Sequence, residues 1–205
     1  IDILYGDGNL WWSGAVNIGI NKAMQKEVSH ILLFNNDNMV AVNYFSILAH
    51  SIVQIGMDSI IASKVFDIYP KKTLRYSGNE FDRKRSRYIK FKDVNEVKKV
   101  NSAGGMGVLI PSSVFTKVGL FDEKNFPQKC GDSDYFLRAE NKQVPMYINP
   151  KCVVYNDNRT SGYKNNMSIT DIMKSFSYPK GYANLLVEYK FYIKQSVTNT
   201  ALCSP

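Results

Sequence analysis

Short apolar runs alternate with stretches of helical spacing along the chain. Residues 1–5 alternate apolar with polar side chains, which predicts a strand. A helix is predicted to begin at Ser13, because apolar residues then recur on one face at Val16, Ile20, Ala23 and Met24. The continuous apolar run within residues 30–34 is typical of a strand buried on both faces, and it stops abruptly at the polar turn 35–38.

The same alternation continues through the next 120 or so residues. Helices are predicted over 44–55 and 132–141, together with a helical turn that ends near Gly119. Strands are predicted over 59–65, 108–111, 146–148 and 152–155. Because strands alternate with helices, the sequence predicts an α/β layered domain with a mostly parallel sheet.

The composition agrees with one packed domain. The 205 residues are 44% hydrophobic and 21% charged, which is enough apolar material for a sizeable core. This excludes a disordered tail and a small disulfide-held fold. The 3 cysteines are too scattered for a disulfide framework, so a reducing compartment is the default expectation. The apolar runs are far shorter than the ~20 residues of a membrane span.

Positive charge is concentrated in residues 71–100. This segment holds 11 Lys or Arg and 4 Asp or Glu, so it carries +7 (11 − 4) of the chain's +8. One interpretation is a solvated edge hairpin whose cations discourage aggregation. Another is a patch for phosphate groups on nucleotides, nucleic acid or anionic lipid.

Nucleic acid would use the aromatic residues of this basic segment as stacking surfaces. These residues are Tyr76, Phe81, Tyr88 and Phe91. They are not accompanied by a recognised RNA-binding or DNA-binding motif, which disfavours nucleic acid as a partner.

Asp37 is the acidic residue of the polar turn that follows the 30–34 strand. In an open α/β sheet, ligands bind at the carboxyl ends of the strands. An aspartate there can hold Mg2+ or Mn2+, because such ions keep several waters and take further oxygens from substrate phosphates. Asn and Asp are also common in ordinary turns, so the residues alone leave both interpretations open.

Two further acidic residues, Asp132 and Asp134, lie in the first turn of the helix predicted over 132–141. The helix dipole favours negative charge at this end. A structural account has Asp132 capping the helix and Asp134 pairing with Arg138 at i,i+4. A functional account has Asp132 pointing into a cleft as a general base.

Five motifs occur in a recognisable order over roughly residues 1–160. They are NLWWSGAVNIGI at 9–20, ILLFNNDN at 31–38, GGMGVLIP at 104–111, VGLFDE at 118–123 and GDSDYFLRA at 131–139. This series resembles the inverting family 2 glycosyltransferases, which have a GT-A fold and include rhamnosyltransferase-like members. The resemblance implies a GT-A-like, Rossmann-type mixed and mostly parallel sheet flanked by helices, with residues 1–170 as the catalytic domain.

The resemblance also implies a set of site residues. Asp37 matches the final aspartate of the metal-binding DxD motif, and Asn156 lies near the place of a further metal ligand, so Mn2+ or Mg2+ is the expected cofactor. Asp132 matches the proposed catalytic base. The implied donor-binding residues are Trp12, Gly14, Asn17, Asn35, Asn36, Gly104 and Gly105.

The implied activity is transfer of a sugar from a nucleoside-diphosphate sugar to an acceptor hydroxyl, with inversion at the anomeric carbon. The metal would stabilise the leaving diphosphate, and Asp132 would accept the proton of the hydroxyl. The expected acceptors are carbohydrate or lipid-linked, as in polysaccharide or cell-wall biosynthesis. The expected location is cytoplasmic, including the inner face of the membrane.

Three departures from the family pattern support an alternative function. Asn35 replaces the first aspartate of the DxD motif, and Gly131 replaces the glutamate before Asp132. The family's first strand–helix–strand unit, which binds the nucleobase and ribose, is expected to be missing before Ile1. The alternative is therefore an inactive or incomplete glycosyltransferase-like domain, truncated at its N-terminus, that serves carbohydrate or partner binding.

Residues 171–205 lie outside the resemblance and are predicted to form a helical tail. Lys190 and Lys194 lie on other faces than the apolar residues, which recur at helical spacing at Tyr182, Leu185, Leu186, Tyr189 and Ile193. This apolar face is predicted to pack on the domain. Peripheral contact with an anionic membrane is the alternative for the same face.

Overall fold

A computed structural model of the chain describes residues 1–160, 168, 170, 173, 176 and 184–196. The helices are α1 (Trp11–Met24), α2 (Tyr44–Ile55), α3 (Ser112–Val118), α4 (Gly131–Asn141) and α5 (Leu185–Gln195). The strands are β1 (His30–Leu33), β2 (Asn38–Val40), β3 (Ile60–Asp67), β4 (Thr73–Tyr76), β5 (Asn79–Asp82), β6 (Arg87–Lys90), β7 (Lys98–Lys99), β8 (Val108–Pro111) and β9 (Met146–Asn156). A 3₁₀ turn, Asn158–Thr160, follows β9.

The main sheet has the strand order β1-β8-β3-β9-β2, with β4 paired to β3 and β7 paired to β9. Strands β5 and β6 form a separate hairpin. The predicted mixed α/β class is confirmed. The expectation of mostly parallel pairing is not met, because β3 and β9 pair in parallel whereas the other described pairings are antiparallel. A continuous apolar run such as that of β8 indicates burial on both faces, but it carries no information about strand direction.

Helices cover the sheet on both faces. Alternate residues of β3 point to opposite faces, so Ile60 and Ile61 belong to different core clusters. One cluster joins Ile60 to residues of α1, α3 and α4, among them Ile20, Val114 and Phe136. The other joins Ile61 to Tyr44 and Leu48 of α2. This two-sided burial explains why β1, β3 and β8 are apolar runs rather than alternating strands.

Three predicted strands differ from the structure. Residues 1–5 are exposed coil, because their apolar side chains find no neighbouring strand among the described residues. The segments 146–148 and 152–155 belong to one strand, β9. Its register against β3 shifts between Ser63 and Lys64, which are opposite Asn149 and Val153. The residues of β9 between Asn149 and Val153 are irregularly paired, and this irregularity interrupts the strand pattern in the sequence.

Helix α5 packs on the domain through a different face from the predicted one. Val187 and Phe191 join the described cluster that contains Phe81, Phe126 and Leu137. The predicted face is exposed at all of its described positions, which are Leu185, Leu186, Tyr189 and Ile193. Apolar residues occupy both sides of α5, so helical spacing alone did not identify the buried side. Tyr182 and the predicted domain boundary at 170–171 lie outside the described residues.

None of the helices in the described segments is both long and apolar enough to cross a membrane.

Candidate active site

The polar turn after β1 is held in place by hydrogen bonds to the first residue of β2 and to the residue that follows β9. The backbone N–H of Asn35 donates to Oδ1 of Asn38 at 3.2 Å, and the N–H of Asp157 donates to the carbonyl oxygen of Asp37 at 2.9 Å. Asn38 begins β2 and is paired with Asn156 on β9. The turn is therefore built by tertiary pairing, which separates it from an ordinary solvent-exposed turn.

Asn38 connects the two predicted metal ligands. Its Nδ2 donates to Oδ1 of Asn156 at 3.2 Å and, more weakly, to Oδ1 of Asp37 at 3.4 Å. The Nδ2 of Asn156 donates in turn to Oδ1 of Asp67 at 2.8 Å. Asn156 is 2% exposed and both ends of its amide are engaged, so it supports the turn from behind rather than offering an oxygen to a ligand.

The donor set suits a hydrated divalent cation with Asp37 as its protein carboxylate. Mg2+ commonly binds through one or two carboxylates and completes its shell with water and substrate phosphate oxygens. The described residues contain no cluster of three or more His, Cys, Asp or Glu side chains placed to enclose a metal. A single carboxylate such as Asp37 suits a site in which a phosphate-bearing ligand supplies further oxygens.

Trp12 forms one wall beside the turn. Its indole Nε1 donates to Oδ1 of Asn35 at 3.4 Å, and its ring meets Phe121 edge-on with centroids 5.2 Å apart. Its backbone N–H donates to Oε1 of Gln128 at 3.1 Å. A cavity of about 380 Å³ opens here, lined by Trp12, Ala15, Val16, Asn35, Asn36 and Asp37. A second cavity of about 290 Å³ shares Trp12, Val16 and Asn35 with it.

Gly105 joins this wall to Asp132. The backbone N–H of Gly105 donates to Oδ2 of Asp132 at 3.2 Å. A methyl group on Gly105 would overlap Cζ2 of Trp12 and lie 2.9 Å from its Cη2, so the indole packs directly on the peptide backbone. At Gly104, a methyl group would lie 3.8 Å from Oδ2 of Asp132. One backbone segment, the glycine pair, thus contacts both Trp12 and Asp132.

Asp132 is half-buried at the start of α4. Its Oδ1 accepts a hydrogen bond from the backbone N–H of Ser133 at 2.7 Å. Burial raises the pKa of Asp132, and the N–H donors of Ser133 and Gly105 oppose that rise only in part. Asp132 itself lines neither of the two cavities at Trp12, but its hydrogen-bond partner Gly105 lines the second. A carboxylate with a raised pKa in such a position is a candidate proton acceptor.

Asp134 has a structural role instead. It is completely buried, and its carboxylate accepts hydrogen bonds from Nε of Arg138 and Nε2 of Gln195, at 2.8 and 2.9 Å. The predicted i,i+4 pair of Asp134 and Arg138 is confirmed. The two carboxylates of this turn therefore differ, because Asp134 anchors α5 to α4 whereas Asp132 faces Gly105.

Two residues expected at the donor site hold the scaffold together. The Nδ2 of Asn17 donates to the carbonyl oxygen of Phe121 at 2.9 Å and to Oε2 of Glu123 at 2.7 Å, and its Oδ1 accepts the N–H of Phe121 at 2.9 Å. A methyl group on Gly14 would meet Oε2 of Glu123 at 3.5 Å. Both positions fix α1 against the 121–123 loop, which places Trp12.

The glycine at 131 is required by packing. A side chain there would overlap Oγ of Ser13 and lie 2.9 Å from the carbonyl oxygen of Phe126. Ser13 also donates through Oγ to that carbonyl at 2.6 Å. The close approach of α1 to the start of α4 leaves no room for a glutamate at this position.

Tyr76 and Tyr88 complete the surroundings of Asp132, and sequence reasoning did not place them there. Burial, and after it the charge of Asp132, raises the pKa of both tyrosines. The hydroxyl of Tyr76 donates to the carbonyl oxygen of Ser102 at 2.8 Å. Both residues lie in the basic segment, far from Asp132 in sequence, so only a long-range contact reveals their position.

The aromatic residues of the basic segment are packed inward. Phe81 is 3% exposed, and Tyr88 stacks on Phe191 with centroids 6.3 Å apart. Tyr76 and Phe91 pack against the core. The interpretation of these rings as an exposed stacking surface for nucleic acid is therefore wrong.

Comparisons with known proteins identify the fold. Neither a family model nor a curated protein matches the chain. A solved structure that does match is the crystal structure of GalNAc-T7 with UDP, GalNAc and Mn2+, with a TM-score of 0.57 and 13% sequence identity. The match covers 96% of this chain and 45% of that chain, so this chain spans less than half the length of its structural neighbour. The likeness confirms a GT-A-like fold.

Proposed function

We propose that the chain forms the catalytic domain of a metal-assisted, inverting glycosyltransferase. The observation that carries this proposal is the continuous arrangement Asp37–Asn35–Trp12–Gly105–Asp132, which links a half-buried turn carboxylate to a carboxylate with a raised pKa. The structural neighbour was crystallised with UDP, GalNAc and Mn2+, which supports a nucleotide sugar and a divalent cation as ligands. Membership of family 2, and of its rhamnosyltransferase-like group, is part of the proposal.

Asp37 would hold the cation, with Asn38 and Asn156 keeping the carboxylate in place. When bound, Mn2+ or Mg2+ neutralises negative charge that develops on a departing diphosphate. The cavity lined by Trp12, Asn35 and Asn36 is of a size that suits part of a nucleotide sugar. Asn17 and Gly14 contribute by fixing α1, and therefore Trp12, against the 121–123 loop.

Asp132 would act as the general base. The acceptor hydroxyl transfers its proton to the carboxylate while its oxygen forms a bond to the anomeric carbon, and the bond from that carbon to the diphosphate oxygen breaks. One displacement inverts the anomeric centre. A second protein carboxylic acid is not required, because the leaving group departs as a diphosphate rather than as an alcohol. The base must be ionised to work, and a raised pKa makes it a stronger proton acceptor.

The acceptor is proposed to be a carbohydrate or a lipid-linked carbohydrate, and the setting is proposed to be the cytoplasm or the inner membrane face. The runner-up function is an inactive or incomplete glycosyltransferase-like domain that serves carbohydrate or partner binding without transfer. The observation that favours this runner-up is Gly131, which stands where the family pattern has a glutamate. Packing against Ser13 is a separate, structural reason for the glycine.

The test replaces Asp132 by Asn and compares it with Asp58→Asn, which alters an exposed aspartate remote from the site in the fold. Donor binding is measured by thermal shift with a panel of nucleotide sugars and Mn2+, and transfer is measured by release of nucleoside diphosphate. Asp132→Asn should lose about 10²–10⁴ in turnover with donor binding retained. Asp58→Asn should behave as the wild type.

Equal turnover by Asp132→Asn would refute its role as the base. A wild-type chain that binds a nucleotide sugar but transfers to no acceptor would favour the incomplete domain instead.

A further inference from the structure

Helix α5 is apolar on two opposite sides. Its inner side is buried through Val187 and Phe191, which are 9% and 1% exposed. Its outer side carries Leu185, Leu186 and Tyr189, which are 56%, 60% and 64% exposed. With 3.6 residues per turn, these three side chains share one helix face roughly opposite Val187 and Phe191. Ordinary surface helices carry polar residues on the outer side.

Packing and hydrogen bonds on the inner side of α5 fix the orientation of the helix, so its outer side faces away from the domain. The ring of Phe191 packs against Phe81, Tyr88 and Phe126. At the C-terminal end, Gln195 donates to Asp134 at 2.9 Å and accepts from Arg83 at 3.0 Å. The exposed leucines therefore cannot turn inward without breaking a buried cluster and a buried hydrogen-bond network.

Unpaired cations lie on α5 and on the hairpin that packs against its inner side. The β5–β6 hairpin that packs on Phe191 carries Lys84, Arg87 and Lys90, and α5 itself carries Lys190; all four are exposed. Within the part of the chain that the structure describes, none of the four forms a salt bridge. The chain as a whole carries +8. Acidic surfaces are thus the complementary partners of this region.

We propose that the outer face of α5 docks on an anionic lipid bilayer, with its leucines and Tyr189 in the interface and with Lys190 and the exposed cations of the β5–β6 hairpin attracted to lipid headgroups. Leucine and aromatic side chains combined with Lys are the composition that interfacial helices use, and α5 carries Leu185, Leu186, Tyr189 and Lys190. Apolar contact and electrostatic attraction are both needed. A few apolar side chains bind a bilayer weakly, and salt screens the attraction of a few cations to lipid headgroups. This inference is independent of the proposed chemistry, since it concerns binding to lipid and not transfer.

The experiment measures co-sedimentation of the full chain with vesicles of phosphatidylcholine alone or of equal parts phosphatidylcholine and phosphatidylglycerol. The wild type should bind the anionic vesicles and not the neutral ones. The double variant Leu186→Glu, Tyr189→Glu should lose at least about tenfold in partitioning. The matched control is Phe45→Glu, Val53→Glu on α2, which adds the same charge at exposed apolar positions and should change partitioning by less than about threefold.

The contribution of the cations to vesicle binding is tested with a triple variant, Lys84→Gln, Arg87→Gln and Lys190→Gln. Partitioning onto anionic vesicles should fall by roughly fivefold per removed charge. Circular dichroism of each variant verifies that it is folded. Lack of binding by the wild type, or equal loss in the α2 control, would overturn the proposal. So would a wild-type dimer that the α5 double variant dissociates without any vesicle binding, because the face would then be a protein interface.

Discussion

Asp132 is the residue on which the chemistry depends, and its environment makes a prediction about stability. Burial raises its pKa above the ordinary value of 3.8. The ionised form is therefore less favoured in the folded than in the unfolded chain. The stability that Asp132 contributes is complete below pH 3.8, and it is lost as the pH rises through the raised folded-state pKa.

Asp132→Asn should consequently be more stable than the wild type at neutral pH, and the difference should shrink toward pH 4. Thermal melts of both proteins across this pH range measure the effect. A wild type that is the more stable protein at neutral pH would show that the backbone donors of Gly105 and Ser133 outweigh the burial of the charge.

Gly105 is the second residue that can be tested individually. Gly105→Ala introduces a methyl group into the space of the Trp12 ring, so we expect a loss of about 1–3 kcal/mol in the free energy of unfolding. Gly19→Ala is the matched control, because it lies inside α1 and a methyl group there meets no atom within 4 Å. The control should be neutral or should stabilise by up to about 1 kcal/mol. Similar losses at both positions in urea unfolding would contradict the close Trp12 contact.

At the scale of elements, the β5–β6 hairpin is joined to α4 and α5 by one arginine. Arg83 donates to the carbonyl oxygen of Leu137 at 3.0 Å, to Oε2 of Glu140 at 3.1 Å and to Oε1 of Gln195 at 3.0 Å. The side chain of Arg83 therefore connects the hairpin to both helices. The sequence pattern of the hairpin indicates only a charged, solvated ribbon. Nothing in that pattern distinguishes Arg83 from the other arginines of residues 71–100.

Arg83→Met should destabilise the chain by about 2–3 kcal/mol, because several hydrogen bonds to a charged donor are lost together. Arg85→Met is the matched control two positions along. Arg85 is 67% exposed and lies 3.8 Å from Asp82, so its removal should cost less than about 0.5 kcal/mol. Urea unfolding of the two variants compares them directly, and equal losses would show that Arg83 is no more than a surface cation.

At the scale of the whole molecule, the two ends of the candidate site depend on different parts of the chain. Asp37 is held by β2 and β9, whereas Asp132 is held by α4 and the 104–105 backbone. Trp12 of α1 contacts both parts, because its indole donates to Asn35 in the turn of Asp37 and packs on Gly105, which binds Asp132. The proposed site therefore exists only in the folded domain, and ligand binding should be linked to global stability.

Asp37→Ala should remove the Mn2+-dependent part of any stabilisation by a nucleotide sugar, because it removes the carboxylate that is proposed to hold the cation. Thermal shift with and without Mn2+ measures this. Asp58→Asn again serves as the control, and a metal-dependent shift that survives Asp37→Ala would place the cation elsewhere.

Much of the architecture follows from local pattern. Two-sided apolar runs indicate β1, β3 and β8, and helical spacing predicts α2 with its observed bounds. Turn chemistry marks the place where Asp37 lies. These features are local consequences of side-chain periodicity, which is why they can be predicted from single segments.

Long-range packing decided the rest. Strand direction, the coil at residues 1–5 and the buried side of α5 depend on which neighbours are present, and a segment's own periodicity does not contain that information. The same holds for the difference between Asp132 and Asp134: both are acidic residues of one helical turn. Arg138 and Gln195 bind the second, whereas the Gly105 backbone meets the first, and only the folded chain brings those partners together.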